Sequence, residues 1–202
     1  SMMMYSNSNG ISSGSHIVRV YDWANNQWVQ RGSDIEASGS TGRAMNTAGS
    51  VIAIGGMHVK VYAWSGSAWS QRGLDLKPMQ SYGFGEALQL SGNGNVIAGS
   101  DDDNNGIYVF AWQEGSWTQQ VRFYVDVDNR DRTNIHLTKF GDPGSSPPAY
   151  DIFQLSKDGK VLVASDYRPS TYTYTRGELP GRVFVYTSLA SGVLTCGRSD
   201  DD

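Results

Sequence analysis

The clearest ligand-like segment of the sequence is the run Asp-Asp-Asp-Asn-Asn-Gly in the middle of the chain. Asp101, Asp103 and Asn105 occupy alternate positions before Gly106, as the oxygen ligands do in the first half of a calcium loop. The twelfth position, where such a loop needs a glutamate, holds Trp112. The sequence therefore leaves two interpretations open, a partial calcium site and an Asx-rich surface turn, and the turn is favoured.

Other polar segments give less reason to expect chemistry. Residues 126–132 carry three aspartates but also two arginines, and these charges favour an ion-paired surface turn over a metal site. The sequence indicates no nucleophile elbow, in which a strand, a Gly-x-Ser-x-Gly turn and a helix follow one another, because no segment shows a helical period. A carboxylate pair for glycoside hydrolysis depends on the fold rather than on sequence spacing, so a glycoside-active enzyme is kept as a lesser alternative. On these grounds we expect a protein that is not an enzyme, with no catalytic residues.

The composition sets the broad class of protein. The chain of 202 residues has 24 glycines and a charged share of only 18%, which favours many turns and few solvated helices. A net charge of -4 and a pI near 5.3 argue against a nucleic-acid partner, which needs a concentrated basic face. No apolar run approaches the roughly 18 residues of a membrane-spanning helix, and no signal peptide is visible. We expect a β-rich protein with no cofactor, calcium being the one possible exception.

The strongest pattern is an internal repeat that joins a strand motif to a tryptophan pair. A β-branched residue, a variable residue, valine and an aromatic residue follow one another in four places, an alternation typical of a β-strand. In three of these places two tryptophans follow, five residues apart, with a short polar link of hairpin type between them. These pairs use all six tryptophans: Trp23 and Trp28, Trp64 and Trp69, and Trp112 and Trp117. We expect the rings mainly to pack hairpins and neighbouring units, with a ligand platform as the alternative.

A second block precedes each of the last three strand motifs. Gly49, Gly94 and Gly159 each stand two residues before an apolar triplet, which predicts a turn with positive φ at the glycine and then a buried strand. Each unit is thus predicted to contain four short strands, and no segment shows a helical period. The first unit, beginning near Met3, has no such block, so its innermost strand is missing. Residues 135–140 alternate well enough to be an extra strand that fills this gap.

The spacing of the units is that of a known repeat architecture. The aromatic residue that ends the strand motif recurs after 41, 48 and 76 residues, at Tyr21, Tyr62, Phe110 and Tyr186, and the first two intervals are typical of propeller blades. With its Leu-Ser-x-Asp-Gly turn and Val-x-Val-Tyr-x-Trp strand, the sequence resembles β-propeller repeats of the FG-GAP-like and WD-repeat-like kind. The resemblance implies an all-β propeller domain or propeller fragment of about four blades, over residues 3–36, 42–78, 84–121 and 150–197, with insertions at 122–149 and 166–180.

Function is expected to lie in the insertions, because long loops on rigid blades usually carry it. We expect a noncatalytic interaction module that binds a protein or a glycan, with contact residues Pro143, Pro147, Tyr167, Tyr172 and Tyr174. A calcium-supported adhesion or lectin-like domain is the alternative. Self-association could complete the propeller where the first unit lacks a strand. The resemblance slightly favours an extracellular or surface-associated location.

Overall fold

The strands of the chain form four antiparallel sheets, one for each repeat unit. The computed structural model describes residues 2–7, 15–38, 42–78, 84–101, 106–124, 153–166, 182–187 and 195–198. Every regular element in these ranges is a β-strand, and a search of them finds no helix of the length and apolar character needed to cross a membrane. The prediction of an all-β fold with about four sheet units is confirmed.

The first sheet differs from the others in its strand order. It contains β1 (Met2–Asn7), β2 (Ser15–Ala24), β3 (Gln27–Gln30) and β4 (Ile35–Ser38). β1 pairs with one edge of β2, while β3 and β4 both pair with the other edge. β3 and β4 are therefore two segments of one outer strand. Within the described ranges no strand pairs with the free edge of β1, and the prediction that this unit lacks its innermost strand stays a prediction.

The other three sheets pair their strands in chain order. The second contains β5 (Arg43–Met45), β6 (Val51–Ile54), β7 (Lys60–Trp64) and β8 (Trp69–Gln71). The third contains β9 (Phe84–Leu90), β10 (Val96–Asp101), β11 (Gly106–Gln113) and β12 (Ser116–Tyr124). The fourth contains β13 (Phe153–Leu155), β14 (Val161–Asp166), β15 (Arg182–Thr187) and β16 (Thr195–Arg198). β9 contacts both β5 and β13, so the first strands of these sheets lie together and the fourth strands form the outer edges.

Apolar side chains between successive sheets hold them face to face. The cluster between the first and second sheets includes Val18, Ile35 and Ile52. A larger cluster, including Phe84 and Ile97, lies between the second and third sheets, and a further cluster lies between the third and fourth. Each fully buried valine, isoleucine or phenylalanine stabilises this stacking by about 1.5–3 kcal/mol. The strand pattern and the stacking therefore have one cause, which is that a single sheet cannot bury both of its apolar faces.

Candidate functional site

Each tryptophan pair lies at the outer hairpin of its sheet, with the two residues directly opposite one another. The link before Trp28 has positive φ at Asn25 and Asn26, and the link before Trp117 has positive φ at Glu114 and Gly115. This is the twist that a two-residue hairpin needs. The ring centroids of the three pairs are 5.3, 5.2 and 5.3 Å apart in tilted or edge-on arrangements. The hairpins thus build three equivalent aromatic pairs on three successive sheets.

The turn after β8 holds the tryptophan pair of the third sheet. The carbonyl oxygen of Arg72 accepts a hydrogen bond from Trp117 Nε1 at 2.8 Å, and Arg72 Cζ lies 4.5 Å from the Trp112 ring centroid. Gly73 has a φ of 83°, and a Cβ there would lie 2.8 Å from Trp112 and 2.9 Å from Trp117. Only glycine combines this backbone conformation with so close an approach. We call an arginine and glycine that hold the next sheet's tryptophan pair in this way an Arg-Gly clasp.

The clasp also reaches the turn between β9 and β10 of the third sheet, which we call the inner turn of that sheet. Arg72 Nη1 donates a hydrogen bond to the Gly94 carbonyl oxygen at 2.8 Å, and Nη2 donates to Asn95 Oδ1 at 2.7 Å. Burial lowers the pKa of Arg72, but a guanidinium stays protonated at neutral pH. Arg72 therefore ties the outer edge of one sheet to both the ring pair and the inner turn of the next.

A second clasp joins the first and second sheets. The carbonyl oxygen of Arg31 accepts a hydrogen bond from Trp69 Nε1 at 2.8 Å, and Arg31 Cζ lies 5.5 Å from the Trp64 ring centroid. Gly32 has a φ of 77°, and a Cβ there would lie 2.7 Å from Trp64. Arg31 Nη1 donates to the Gly49 carbonyl oxygen at 3.1 Å. The two interfaces use the same contacts at equivalent positions.

Polar side chains fix the turn that presents the Arg31–Gly32 clasp. Gln30 Nε2 donates to the carbonyl oxygen of Gly32 at 3.1 Å and to Asp34 Oδ1 at 2.9 Å. Asp34 also accepts two hydrogen bonds from Arg19, at 2.8 and 2.7 Å. These bonds, that from Arg19 first and that from Gln30 second, lower the pKa of Asp34 below its ordinary value. Gln71 makes the equivalent bonds in the second sheet.

Both partners of the clasp are absent from the sequence at the interface between the third and fourth sheets. After Trp117 and Gln119, the chain has Gln120 and Val121 where the earlier units have arginine and glycine. The fourth unit has Ser188 in place of the first tryptophan. Because the Arg-Gly turn and the tryptophan pair are lost together, they act as two halves of one contact.

Among the described residues, no clasp lies over the tryptophan pair of the first sheet. Trp23 is 47% exposed and Trp28 is 41% exposed, whereas the two clasped pairs are partly buried. No hydrogen bond from Trp28 Nε1 is found within the residues that the structure describes. The first sheet thus presents the same ring pair as its neighbours, open to solvent.

The inner turns of the last three sheets form a second surface feature. Gly49, Gly94 and Gly159 have φ values of 62°, 72° and 73°. Backbone hydrogen bonds link neighbouring turns, from Gly92 N to the Lys157 oxygen at 2.6 Å and from Thr47 N to the Gly92 oxygen at 3.2 Å. The turns line a shallow, open depression, whose residues are Thr47, Ala48, Gly92, Asn93, Lys157 and Asp158.

Most of the binding residues expected from the sequence lie outside the described residues. These are Asp103, Asn105, Pro143, Pro147, Tyr167, Tyr172 and Tyr174, together with the extra strand expected at residues 135–140. Asp101 ends β10, where its backbone pairs with Phe84 and Gly106. In the part of the chain that is described, no three His, Cys, Asp or Glu side chains are grouped as a metal site would need. The calcium site and the binding residues stay predictions.

Solved structures resemble this arrangement although their sequences differ. The complex of KlAtg21 with the coiled-coil of AgAtg16 aligns with a TM-score of 0.61 at 10% identity, over 98% of this chain and 55% of the other. A Bacteroides uniformis protein named as a 6-phosphogluconolactonase aligns with a TM-score of 0.53 at 15% identity, over 92% and 48%. The periplasmic gluconolactonase PpgL of Pseudomonas aeruginosa aligns with a TM-score of 0.51 at 18% identity, over 95% and 51%. The fold is a β-propeller.

The resemblance to propeller repeats expected from the sequence is therefore confirmed, and the four sheets are its blades. The chain spans about half the length of each of these three solved structures. No family model matches the sequence, and neither does any curated protein. At identities this low, the likeness shows the fold alone.

The expectation that the protein is not an enzyme is wrong. Several of the propellers that it resembles are named as 6-phosphogluconolactonase or gluconolactonase, so hydrolysis occurs among proteins of similar fold. The expectation rested on the absence of a nucleophile elbow, a local strand–turn–helix signature, from the sequence. Side chains on separate blades meet only in the folded protein, so a local motif is a poor guide to catalysis on this fold.

The sequence reasoning also missed the Arg-Gly clasp. A signal for it was present, because Gln-Arg-Gly follows the second tryptophan at residues 30–32 and again 41 residues later, at 71–73. The strand motif and the tryptophan pair account for each of these two units only up to Gln30 and Gln71, which end β3 and β8. The arginine and glycine that follow contact the next blade rather than their own, which a pattern within one unit does not reveal.

Proposed function

We propose that this chain is a propeller module that binds a protein partner through two long connections. Residues 125–152 join β12 to β13, and residues 167–181 join β14 to β15. The equivalent connections of the second blade are shorter, at residues 72–83 and 55–59. Long segments between rigidly packed elements are where binding residues concentrate. This difference in length between equivalent connections is the observation that carries the proposal.

The stacked blades support this proposal as a rigid base. Ile52, Ile97 and Leu162 are fully buried at the three blade interfaces, and the clasps add directional contacts at two of them. KlAtg21, a propeller of similar fold, is bound to the coiled-coil of another protein in its structure. A partner for the present chain would contact the candidates Pro143, Pro147, Tyr167, Tyr172 and Tyr174.

The proposal is tested by replacing each connection separately. Residues 142–148 and residues 167–174 are exchanged for Gly-Ser segments of equal length, and the exposed hairpin link at 65–68 is exchanged in a matched control. We expect the wild type and the control to capture the same protein from an extract, and at least one connection variant to lose it at an unchanged thermal midpoint. Equal capture by all four proteins would contradict the proposal.

Binding of a glycan at a calcium site formed by residues 101–105 is the alternative function that the sequence predicts. A glycan array run with and without millimolar calcium separates the two functions, since only the alternative predicts calcium-dependent glycan binding. Asp103→Asn is the informative variant, because it removes one carboxylate from the candidate ligand set without changing side-chain size. Glycan binding that is unaffected by calcium and by this substitution would rule out the cation.

A second candidate function is hydrolysis of a sugar lactone. Two observations support it. Propellers of similar fold are named as 6-phosphogluconolactonase or gluconolactonase, and the three inner turns form a depression on the surface. Lys157 supplies a cation there. Asp158 supplies a carboxylate whose pKa is lowered by hydrogen bonds from the Ser156 hydroxyl and from the Lys160 backbone N–H. Proton release from 6-phosphogluconolactone and gluconolactone tests it. This function requires that the protein hydrolyse the lactone faster than the spontaneous reaction, and that Lys157→Ala lower the rate. A rate equal to that of spontaneous hydrolysis would exclude these two substrates.

A further inference from the structure

The open tryptophan pair of the first blade matches two occupied pairs in the same molecule. The rings of Trp23 and Trp28 are 5.3 Å apart at 68°, and those of Trp112 and Trp117 are 5.3 Å apart at 65°. Both pairs are formed by residues directly opposite one another in a hairpin. The geometry of the open pair is thus already that of a clasped pair, which means that little rearrangement is needed to fill it.

The chemistry of the occupant follows from the filled pairs. At both of them a backbone carbonyl accepts the indole N–H of the second tryptophan, a guanidinium lies over the rings, and a glycine with positive φ lies against them. An indole N–H exposed beside an aromatic face offers a new partner the same hydrogen bond and the same cation–π contact. The third blade lacks the Arg-Gly turn, and the fourth blade lacks the tryptophan pair that such a turn would hold. The turn and the pair therefore occur together in this chain.

We propose that the Trp23–Trp28 pair is a docking site for an Arg-Gly turn at the outer edge of a further propeller blade. Both clasps of this chain are already engaged with its own blades, so a second copy has no free turn of this kind among its described residues. The occupant is therefore a blade other than those described, with its own Gln-Arg-Gly-x-Asp turn after an outer strand. The proposal uses no residue of the two long connections, and the inference stands or falls independently of the function proposed for them.

The test uses the full chain and a peptide copied from its own clasp. The probe is a head-to-tail cyclised peptide of residues 59–76, the segment that forms the β7–β8 hairpin with Val59 and Leu76 paired at its ends. The protein is labelled with ¹⁵N, and its six indole N–H resonances are followed as peptide is added. Trp28→Phe assigns the resonance of interest. We expect saturable movement of the Trp28 resonance, with the already bonded Trp69 and Trp117 resonances unchanged.

Variants of the peptide and of the protein make the test specific. Peptides with Arg72→Ala or Gly73→Ala should bind at least about fivefold more weakly, because each loses the ring contact or the close approach. The double variant Trp23→Ser, Trp28→Ser should also lose binding. Val29→Thr is the matched control, since Val29 is 43% exposed and adjacent to Trp28 but points to the opposite face of the strand.

Three results would overturn the proposal. The first is no movement of the Trp28 resonance with the unaltered peptide. The second is equal movement with the two altered peptides, which would indicate a non-specific apolar contact; this comparison needs no protein variant to fold. The third is a dimer in sedimentation that Trp23→Ser, Trp28→Ser converts to a monomer, because the occupant would then be a second copy. Variants with replaced long connections should bind the peptide unchanged.

Discussion

Replacing Gly73 by alanine perturbs the clasp between the second and third blades in a way that can be separated from backbone strain. Gly73 has a φ of 83°, and the added Cβ would lie 2.8 Å from Trp112 and 2.9 Å from Trp117. Gly115 has a φ of 81°, and nothing lies within 4 Å of a Cβ built there. Both alanine variants therefore carry the same left-handed strain of about 1–2 kcal/mol and the same loss of unfolded-state entropy. Only Gly73→Ala displaces the rings.

The displacement sets the size of the expected difference. Ordinary carbon contacts lie at about 3.5–4.0 Å, so the rings must move by roughly 0.7 Å or more. That movement weakens the Trp117 hydrogen bond, worth about 0.5–1.5 kcal/mol, and the Arg72 cation–π contact, worth about 0.5–1 kcal/mol. Urea unfolding at constant m-value should place Gly73→Ala below Gly115→Ala by about 1–2.5 kcal/mol. A difference below about 0.5 kcal/mol would refute the claim that the clasp stabilises the interface.

Further predictions concern individual contacts. Trp117→Phe removes the hydrogen bond to Arg72 and should lower the free energy of unfolding by about 1 kcal/mol, whereas Trp23→Phe should stay within about 0.5 kcal/mol of wild type, both measured in urea. Arg72→Lys keeps the charge but loses the planar guanidinium group. It should therefore lower the free energy of unfolding in urea by at least half as much as Arg72→Ala does. The lowered pKa of Asp34 stabilises the folded protein above the ordinary pKa of an aspartate, and this stabilisation is lost as the pH falls through the pKa of the folded state. Arg19→Gln should raise the titration midpoint of Asp34 measured by NMR. An unchanged midpoint would exclude the ion pair. Ile97→Val, at a fully buried site between blades, should cost about 0.5–1.5 kcal/mol in urea.

The strands could be predicted because their causes are local. Alternating residues such as Val18 and Val20 indicate one buried face of a strand, and the residues between Trp23 and Trp28 indicate a hairpin. The turn glycines Gly94 and Gly159 follow from the same local rules, and both have positive φ in the structure. Comparison of the units with each other also predicts that the first unit lacks an inner strand.

The contacts between blades could not be predicted in the same way. The carbonyl oxygen of Arg72 accepts a hydrogen bond from Trp117, which lies 45 residues later in the chain. No periodicity within a strand encodes a sequence separation of that length. The depression at the inner turns likewise combines Asn93 and Lys157 from different blades. The expectation of no catalysis failed for the same reason, because it used a local motif to judge a site that separate blades would build.

The most direct test of the clasp is the exchange of the indole N–H protons with solvent, measured by NMR for all six tryptophans. Trp69 and Trp117 donate to backbone carbonyls between blades, while Trp28 is 41% exposed. The Trp69 and Trp117 protons should exchange many times more slowly than that of Trp28, since hydrogen-bonded groups exchange only on opening. Equal exchange at the three positions would contradict the claim that two tryptophan pairs are clasped and one is open.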